Sequence, residues 1–345
     1  LINRHDIGAA MLQGSSYAEP QETLETLRQA MRTPQYKESM EIPFAVVRTM
    51  LDLGLTSQAR SWLSSLDEKY GENWRFFWYF GVVNLLLGDF AQAQRDFSRV
   101  LGILPGEAAP KLAIAAVDEL LLQQAGLREE QLLDDALARA CAGIRTSLDD
   151  IPSRVFQDLV AAGVLDDEWS MVADNPAMLR FHAMRLYSLV WLANPTTVSS
   201  AFGLARQLMN EGEVELAVAA LDRVPQSSRH HRMAQLTAIL CLVAQDLTEA
   251  RIRRAARRLD EIPSTEPRFL QVKIFVLRAA LTFLRQNRVY GAASHKPLFE
   301  YPFNVRGLRR GLAITLREQA RVAPYPRHRY ALVDMANKVR PATWF

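Results

Sequence analysis

Histidines and carboxylates are the residues of this sequence that could bind a metal or transfer protons. His230 and His231 are adjacent, and neighbouring residues on a helix point about 100° apart, so they are poorly placed to share a metal ion. We expect them at an exposed helix start. His182 lies in an apolar, aromatic stretch and is expected to be a packed histidine. Asp149–Asp150 and Asp166–Glu168 could form a carboxylate site, but a solvated loop is the favoured interpretation.

Sequence motifs for catalysis are also missing. The sequence contains no phosphate-binding loop, dinucleotide-binding fingerprint, zinc-protease helix or nucleophile elbow. Nothing in it forms the constellation that acid–base catalysis needs. We therefore expect no catalytic residue, no metal and no cofactor in this chain.

The strongest charged feature is the run RIRRAARRL at 251–259. Arg251, Arg254 and Arg258 fall on one helical face, and Arg253 and Arg257 fall on another. A nucleic-acid surface would use such a stripe with interleaved aromatic residues, and none is interleaved here. The pattern favours a solvated face, or pairing with an acidic segment or another domain. RNA binding remains a weaker hypothesis.

Composition places the chain among soluble folded proteins. It has 345 residues, of which 49% are hydrophobic and 23% charged, with a net charge of +3. Cys141 and Cys241 lie far apart, which favours a reduced, cytoplasmic protein without a metal knuckle. No apolar run approaches the ~18 residues of a membrane span. The first residues lack both a signal-peptide order and a Met, which predicts a fragment of a longer protein.

One skeleton, Gly-x4-Ala-x3-Leu/Phe, occurs three times, at 54–63, 88–97 and 212–221. The first two copies are offset by 34 residues, which is the period of the tetratricopeptide repeat, a helix–turn–helix unit. The predicted structural positions of the repeat are Gly54, Ala59, Gly81, Gly88, Ala93, Phe97, Gly212, Ala217 and Leu221.

Each repeat position has a physical role. Gly81 and Ala93 are small, so two antiparallel helices can approach closely. Gly88 can adopt a positive φ and end the first helix, and Asp89 is a suitable N-cap for the second. Phe97 is expected to fill the space towards the next pair. Asn84 stands where a large apolar residue is usual, which predicts either a gap or a polar network.

Strand signals are nearly absent, so the predicted fold is an all-α tetratricopeptide-type solenoid with a helical insertion and a C-terminal helical cap. The third glycine lies 124 residues after Gly88, which is not a multiple of 34. We therefore expect 106–122 and 181–195 to form one helix pair interrupted by an insertion. The predicted regions are 1–122 with the first repeats, 123–178 as a helical insertion, 179–262 with a further repeat, and 263–345 as a C-terminal helical region.

First helices of stacked pairs line a concave surface that commonly binds partners. Tetratricopeptide proteins expose residues at fixed offsets on these helices, and carried onto this chain the offsets select aromatic and arginine side chains, both common interface anchors. The candidate partner-binding residues are Phe44, Arg48, Arg75, Trp78, Phe202 and Arg206. They do not match the Lys/Asn carboxylate clamp of chaperone adaptors. The alternative is that some of the aromatics are simply buried.

Several further segments carry a family resemblance. PGEAAPKLAIAA (105–116), LDRVPQSSRH (221–230), TEPRFLQ (265–271) and RVAPYPRHRYALVDMANKVRP (321–341) resemble the C-terminal tetratricopeptide region of the actinobacterial soluble serine/threonine protein kinase G family. The resemblance covers nearly the whole chain except the insertion.

The resemblance implies a parent protein with a rubredoxin-like module, a kinase domain that uses ATP and Mg, and then this region. Kinase motifs do not occur here, so this fragment should not transfer phosphate. Expected partners are its own kinase domain, a forkhead-associated-domain substrate that controls 2-oxoglutarate dehydrogenase and glutamate metabolism, a membrane-bound sensor, and a second copy; nucleic acid is not expected. The alternative is a stand-alone tetratricopeptide scaffold that binds a peptide or regulatory protein.

Overall fold

The computed structural model describes residues 3, 5–14, 19–125, 176–194, 196–287 and 296–341. Within these ranges the chain forms helices throughout, and the one extended pairing is an isolated bridge between Leu298 and Tyr301. The all-α prediction is confirmed. The helices are α1 (Ala9–Gly14), α2 (Pro20–Arg32), α3 (Glu41–Asp52), α4 (Thr56–Ser65), α5 (Asp67–Tyr70), α6 (Trp74–Leu87), α7 (Phe90–Ile103), α8 (Ala108–Ala125), α9 (Pro176–Ala193), α10 (Val198–Asn210), α11 (Val214–Asp222), α12 (His231–Leu242), α13 (Glu249–Asp260), α14 (Phe269–Gln286), α15 (Val305–Val322) and α16 (Pro326–Val339).

The chain divides into two compact units. The first comprises residues 1–144 and 151–190, and the second comprises 145–150 and 191–345. In the first unit, successive helices from α2 to α8 pack as antiparallel neighbours around an apolar core. The second unit repeats this arrangement from α10 to α16.

The three predicted repeat turns share one hydrogen-bonded geometry. Gly54, Gly88 and Gly212 have φ angles of 72°, 81° and 78°. In each turn the glycine N–H donates to the carbonyl three residues earlier, at 2.9, 3.2 and 3.1 Å respectively. The next N–H donates to the carbonyl five residues earlier, at 2.8, 2.9 and 2.8 Å. This is the Schellman arrangement, which satisfies the last carbonyls of each first helix and requires a left-handed residue at the turn.

Small residues allow the paired helices to approach, as predicted. Ala59, Ala93 and Ala217 are fully buried. A Cβ added at Gly81 of α6 would lie 2.6 Å from the ring of Phe97 on α7, so the absent side chain makes room for that ring. Leu63, Phe97 and Leu221 are themselves buried, which completes the predicted packing.

Asp6 fixes the N-terminal segment to the start of α3. Its carboxylate accepts hydrogen bonds from the Ser39 hydroxyl at 2.5 Å and from the backbone N–H groups of Met40 and Glu41 at 2.9 and 3.3 Å. Burial of Asp6 opposes ionisation, but these bonds and one from the Gly8 N–H outweigh it and lower the pKa of the carboxyl. The anchored segment carries Leu12 to the wall of the cavity described below.

The predicted insertion falls largely outside the described residues. Helix α8 continues to Ala125 and α9 begins at Pro176, so helices lie on both sides of the interruption near the expected positions. The carboxylate clusters Asp149–Asp150 and Asp166–Glu168 lie outside the described residues. The four predicted region boundaries stay predictions.

Candidate functional site

A cavity of about 320 Å³ opens in the first unit beside α3, α6 and the start of α8. Its lining combines the four predicted groove residues of this unit with further aromatic and acidic side chains. Phe44, Arg48, Arg75 and Trp78 all border it, together with Trp74, Tyr79, Glu41 and Glu107. A concave, mostly aromatic site with a few polar groups is the usual form of a binding pocket.

The first turn of α6 positions much of the cavity wall. Asn73 caps this helix, because its side chain accepts a hydrogen bond from the Arg75 N–H at 3.0 Å. Trp74 and Trp78 are four residues apart and therefore share a helix face. The cap thus fixes where two large indole rings enter the cavity.

Arg75 is held inside the site by an ion pair. Its guanidinium lies 2.7 Å from the Glu41 carboxylate, with side-chain exposures of only 13% and 6%. Glu41 also accepts the Asn3 N–H at 2.9 Å, and the guanidinium stacks 4.4 Å from the centroid of the Trp74 ring. Arg75 therefore serves the internal structure of the site, and its charge is largely neutralised there.

Arg48 offers the open positive charge of the cavity. Its side chain is exposed, and within the described part of the chain no carboxylate lies at ion-pair distance from it. It projects from α3 one turn after Phe44, on the same face. An anionic group bound in the cavity would therefore meet Arg48.

Phe44 and Trp78 form the base of the cavity. Phe44 is only 2% exposed, and its ring lies 5.6 Å from the Tyr70 ring and 5.8 Å from the Tyr79 ring. Trp78 is half-buried, with its ring 5.2 Å from Phe97. Phe44 therefore belongs to the core and reaches the cavity only with its edge, whereas Trp78 joins core and cavity.

The remaining two predicted groove residues belong to the second unit. Phe202 and Arg206 lie on α10, where Phe202 is half-buried and Arg206 is exposed. They do not contribute to the cavity lined by Arg48 and Trp78. The partner-binding role of all six residues remains a prediction.

Sequence reasoning missed three important residues of the cavity. Trp74, Tyr79 and Glu41 were not selected, although the aromatic run WRFFWYF at 74–80 was visible in the sequence. Burial raises the pKa of Tyr79, in keeping with a phenol packed in the wall. Glu41 had no local signal, since its partner Arg75 lies 34 residues away.

His182 is a packed histidine, as predicted. It is buried on α9, and its Nδ1 lies 2.8 Å from Oδ2 of Asp118 on α8. The other oxygen of Asp118 accepts a 2.5 Å hydrogen bond from the Gln94 amide on α7. Three helices therefore meet at one carboxyl group, which has a structural and not a chemical role.

The prediction of a polar network at Asn84 is confirmed. Its buried amide donates to Oδ2 of Asp96 at 2.8 Å, and Gln92 donates to Oδ1 at 3.0 Å. Burial raises the pKa of Asp96 despite these bonds. The network joins α6 to α7 where other repeats would use apolar contact.

The arginine stripe of α13 is paired, but not with the partners expected from the sequence. Glu215 lies 3.3 Å from Arg251 and 2.5 Å from Arg254, and Asp222 binds Arg258 through both oxygens at 2.7 and 2.6 Å. These acids belong to α11 of the same unit. The expectation of an acidic insertion or another domain is therefore corrected, because neighbouring helices of one stack bring the charges together. Paired arginines also weaken the case for RNA binding on this face.

The other candidate sites stay without chemistry. His231 starts α12 with its Nδ1 2.9 Å from the Val224 carbonyl, and His230 is exposed. Cys241 is buried, which raises the pKa of its thiol to about 11. Among the described residues, no group of three or more potential ligands is arranged to hold a metal ion. No described helix is both long enough and apolar enough to cross a membrane.

Helix pairs closed by left-handed glycines, with small residues at their crossing and a 34-residue offset, define a tetratricopeptide-repeat protein. Comparison with known families agrees with this class and narrows it. The family model described as "Protein kinase G tetratricopeptide repeat" matches residues 1–343. The chain belongs to this family.

Relatives at the sequence level are mycobacterial kinases. The chain is 37% identical over 353 residues to the serine/threonine-protein kinase PknG of Mycobacterium leprae, covering 99% of this chain and 38% of that protein. It is 35% identical over 355 residues to PknG of Mycolicibacterium smegmatis, covering 100% and 39% respectively. The chain thus spans less than two fifths of the length of these relatives, and it corresponds to their repeat region.

Among solved structures, the tetratricopeptide domain of P58(IPK) matches over 87% of this chain and 97% of its own. The sequence identity is 11% and the TM-score is 0.22, values too low to carry an argument.

Proposed function

We propose that this chain is the non-catalytic regulatory and protein-binding region of a serine/threonine protein kinase. The family assignment supports this, as does the length of the PknG relatives, in which the matched region is only 38–39% of the protein. Catalysis, with its ATP and Mg, would belong to the remainder of such a protein. The repeat region would support the kinase domain and recruit its substrate.

The cavity of the first unit is the observation that carries the binding role. Its aromatic wall accommodates one large apolar side chain, and burial of such a group contributes about 1.5–3 kcal/mol. Arg48 stands beside it with an open positive charge. The cavity therefore favours a partner segment with a large apolar residue followed by an acidic one.

The proposed partners follow the family resemblance. They are the kinase domain of the same protein and a forkhead-associated-domain substrate that controls 2-oxoglutarate dehydrogenase and glutamate metabolism. A membrane-bound sensor and a second copy of the chain are further proposed partners. The proposed location is the cytoplasm.

Calorimetry with separately purified kinase domain and forkhead-associated protein tests this function. We expect association with at least one of them, and a loss of about tenfold or more in affinity for Trp78→Ala and for Arg48→Glu, in line with truncated interface anchors. Arg60→Glu is the matched control, because Arg60 is exposed on α4 of the same unit and does not line the cavity.

Thermal melting separates binding from folding in this test. Trp78 also packs on Phe97, so Trp78→Ala is expected to lower stability as well, whereas Arg48→Glu leaves the core intact. Absence of association with both proteins at high micromolar concentration would overturn the proposed partners. Retained cavity-dependent binding of a different protein would instead favour the stand-alone scaffold.

A further inference from the structure

The C-terminal helices of the second unit carry a concentration of positive charge. Residues 305–341 contain nine arginines and lysines but only two acids, Glu318 and Asp334, in a chain whose net charge is just +3. Most of these cations are exposed, including Arg321 at the end of α15 and Arg327 in the first turn of α16.

The charge of this region is not neutralised as it is on α13. There, Glu215 and Asp222 pair with three arginines. By contrast, no carboxylate of the described residues lies at ion-pair distance from Arg321, Arg327 or the exposed Arg278 of α14. The three guanidinium groups therefore remain available to an external anion.

An apolar cavity of about 400 Å³ opens between α14, α15 and α16, beside these cations. Its apolar lining is Ile274, Phe275, Leu316, Ala323, Leu332 and Met335.

Short chain distances join the cations to this cavity. Arg278 follows Phe275 by one helical turn on the same face. Arg321 and Arg327 are each within two residues of a lining residue, Ala323 and His328 respectively, which limits the separation along the chain to about 8 Å.

Large apolar side chains are also exposed around this cavity. Phe275 is 52% exposed, Tyr325 64% and Tyr330 72%. Tyr325 packs edge-on against His328, with ring centroids 5.4 Å apart, so it is presented in a defined orientation. Exposed aromatic groups beside an apolar cavity mark an interaction surface more often than a simple solvated face.

We propose that this surface, formed by α14, α15 and α16, binds an acidic protein segment that inserts one large apolar side chain into the cavity. The cavity supplies the apolar contact, and Arg278, Arg321 and Arg327 supply the charge complementarity. A nucleic acid would use the cations but leave the Leu, Ile and Met lining of the cavity unoccupied, so the combination favours a protein segment. The site is separate from the cavity of the first unit and does not depend on the proposed kinase partners.

Fluorescence polarisation of the full chain with a labelled peptide tests the proposal. The probe is an octapeptide of alternating Glu and Asp around a central Leu-Phe pair. We expect saturable binding that weakens with salt, and about tenfold weaker binding when the pair is replaced by Ala-Ala. The double variant Arg278→Glu/Arg327→Glu is also expected to bind about tenfold more weakly.

Matched controls distinguish this surface from general attraction to a basic protein. Arg28→Glu/Arg60→Glu makes the same charge change at two exposed arginines of the first unit and is expected to leave binding unchanged. The Ala-Ala peptide needs no protein variant and so tests the cavity even if a substitution impairs folding. Equal affinity for both peptides, equal loss in both double variants, or binding only to an oligonucleotide or to phosphatidylserine vesicles would overturn the proposal.

Discussion

At the scale of single residues, the absence of a side chain at Gly81 decides how closely α6 and α7 pack. A Cβ there would lie 2.6–2.9 Å from three ring atoms of Phe97, which is itself buried. We therefore expect Gly81→Ala to lower the free energy of unfolding by about 1–3 kcal/mol, as overpacked cores do. Chemical denaturation of the purified chain measures this difference.

Gly102 provides the control for that substitution. It lies on α7, it is exposed, and a Cβ added there would meet nothing within 4 Å. Gly102→Ala should be neutral or stabilise the chain by up to about 1 kcal/mol, because it reduces the entropy of the unfolded state. Equal destabilisation by the two substitutions would contradict the close-packing interpretation.

At the scale of helices, the arginine stripe of α13 joins this helix to α11. The bond from Arg258 to both oxygens of Asp222 also raises the pKa of the arginine. Both side chains are partly exposed, so we expect Arg258→Ala to cost only about 0.5–1 kcal/mol at low salt. The cost should shrink in 1 M salt, where the screening length falls to about 3 Å.

Arg257 on the same helix is the matched control for this effect. It is exposed, and among the described residues it takes part in no ion pair. Arg257→Ala should therefore have little effect at either salt concentration, measured by thermal or urea denaturation. A salt-independent cost for Arg258→Ala would show that packing of its aliphatic stem, and not the ion pair, joins the helices.

At the scale of the whole molecule, one buried carboxyl group connects parts of the chain that are far apart in sequence. Asp118 contacts Gln94 on α7 and His182 on α9, which lies 64 residues further along the chain. Removing a buried shared partner strands the polar groups around it. We therefore expect Asp118→Ala to lower the free energy of unfolding by about 3 kcal/mol or more.

Glu25→Ala tests the specificity of that result. Glu25 is exposed on α2, and such a surface substitution usually changes stability by less than about 0.5 kcal/mol. If Asp118→Ala proves equally mild, the contact with His182 does not hold α9 in place. Hydrogen exchange of the α9 amides would show the same difference at the level of a single helix.

The sequence by itself determined the local architecture of this protein. Positive-φ glycines, small residues at helix crossings and the Asp89 cap act within a few residues of one another, so residue types and spacing were enough to assign Gly54, Gly88 and Gly212 to turns. The unusual Asn84 likewise predicted a polar network, since an amide in a buried position needs a hydrogen-bonding partner.

Only the tertiary structure decided which distant side chains meet. Glu41 with Arg75, Glu215 with the α13 arginines, and Asp118 with His182 are separated by 34 residues or more, and no spacing rule identifies such partners. Burial of Phe44 was equally hidden, because an offset that points a residue towards the concave side does not say what covers it. Long-range pairing depends on how whole helices stack, which local propensity and periodicity do not specify.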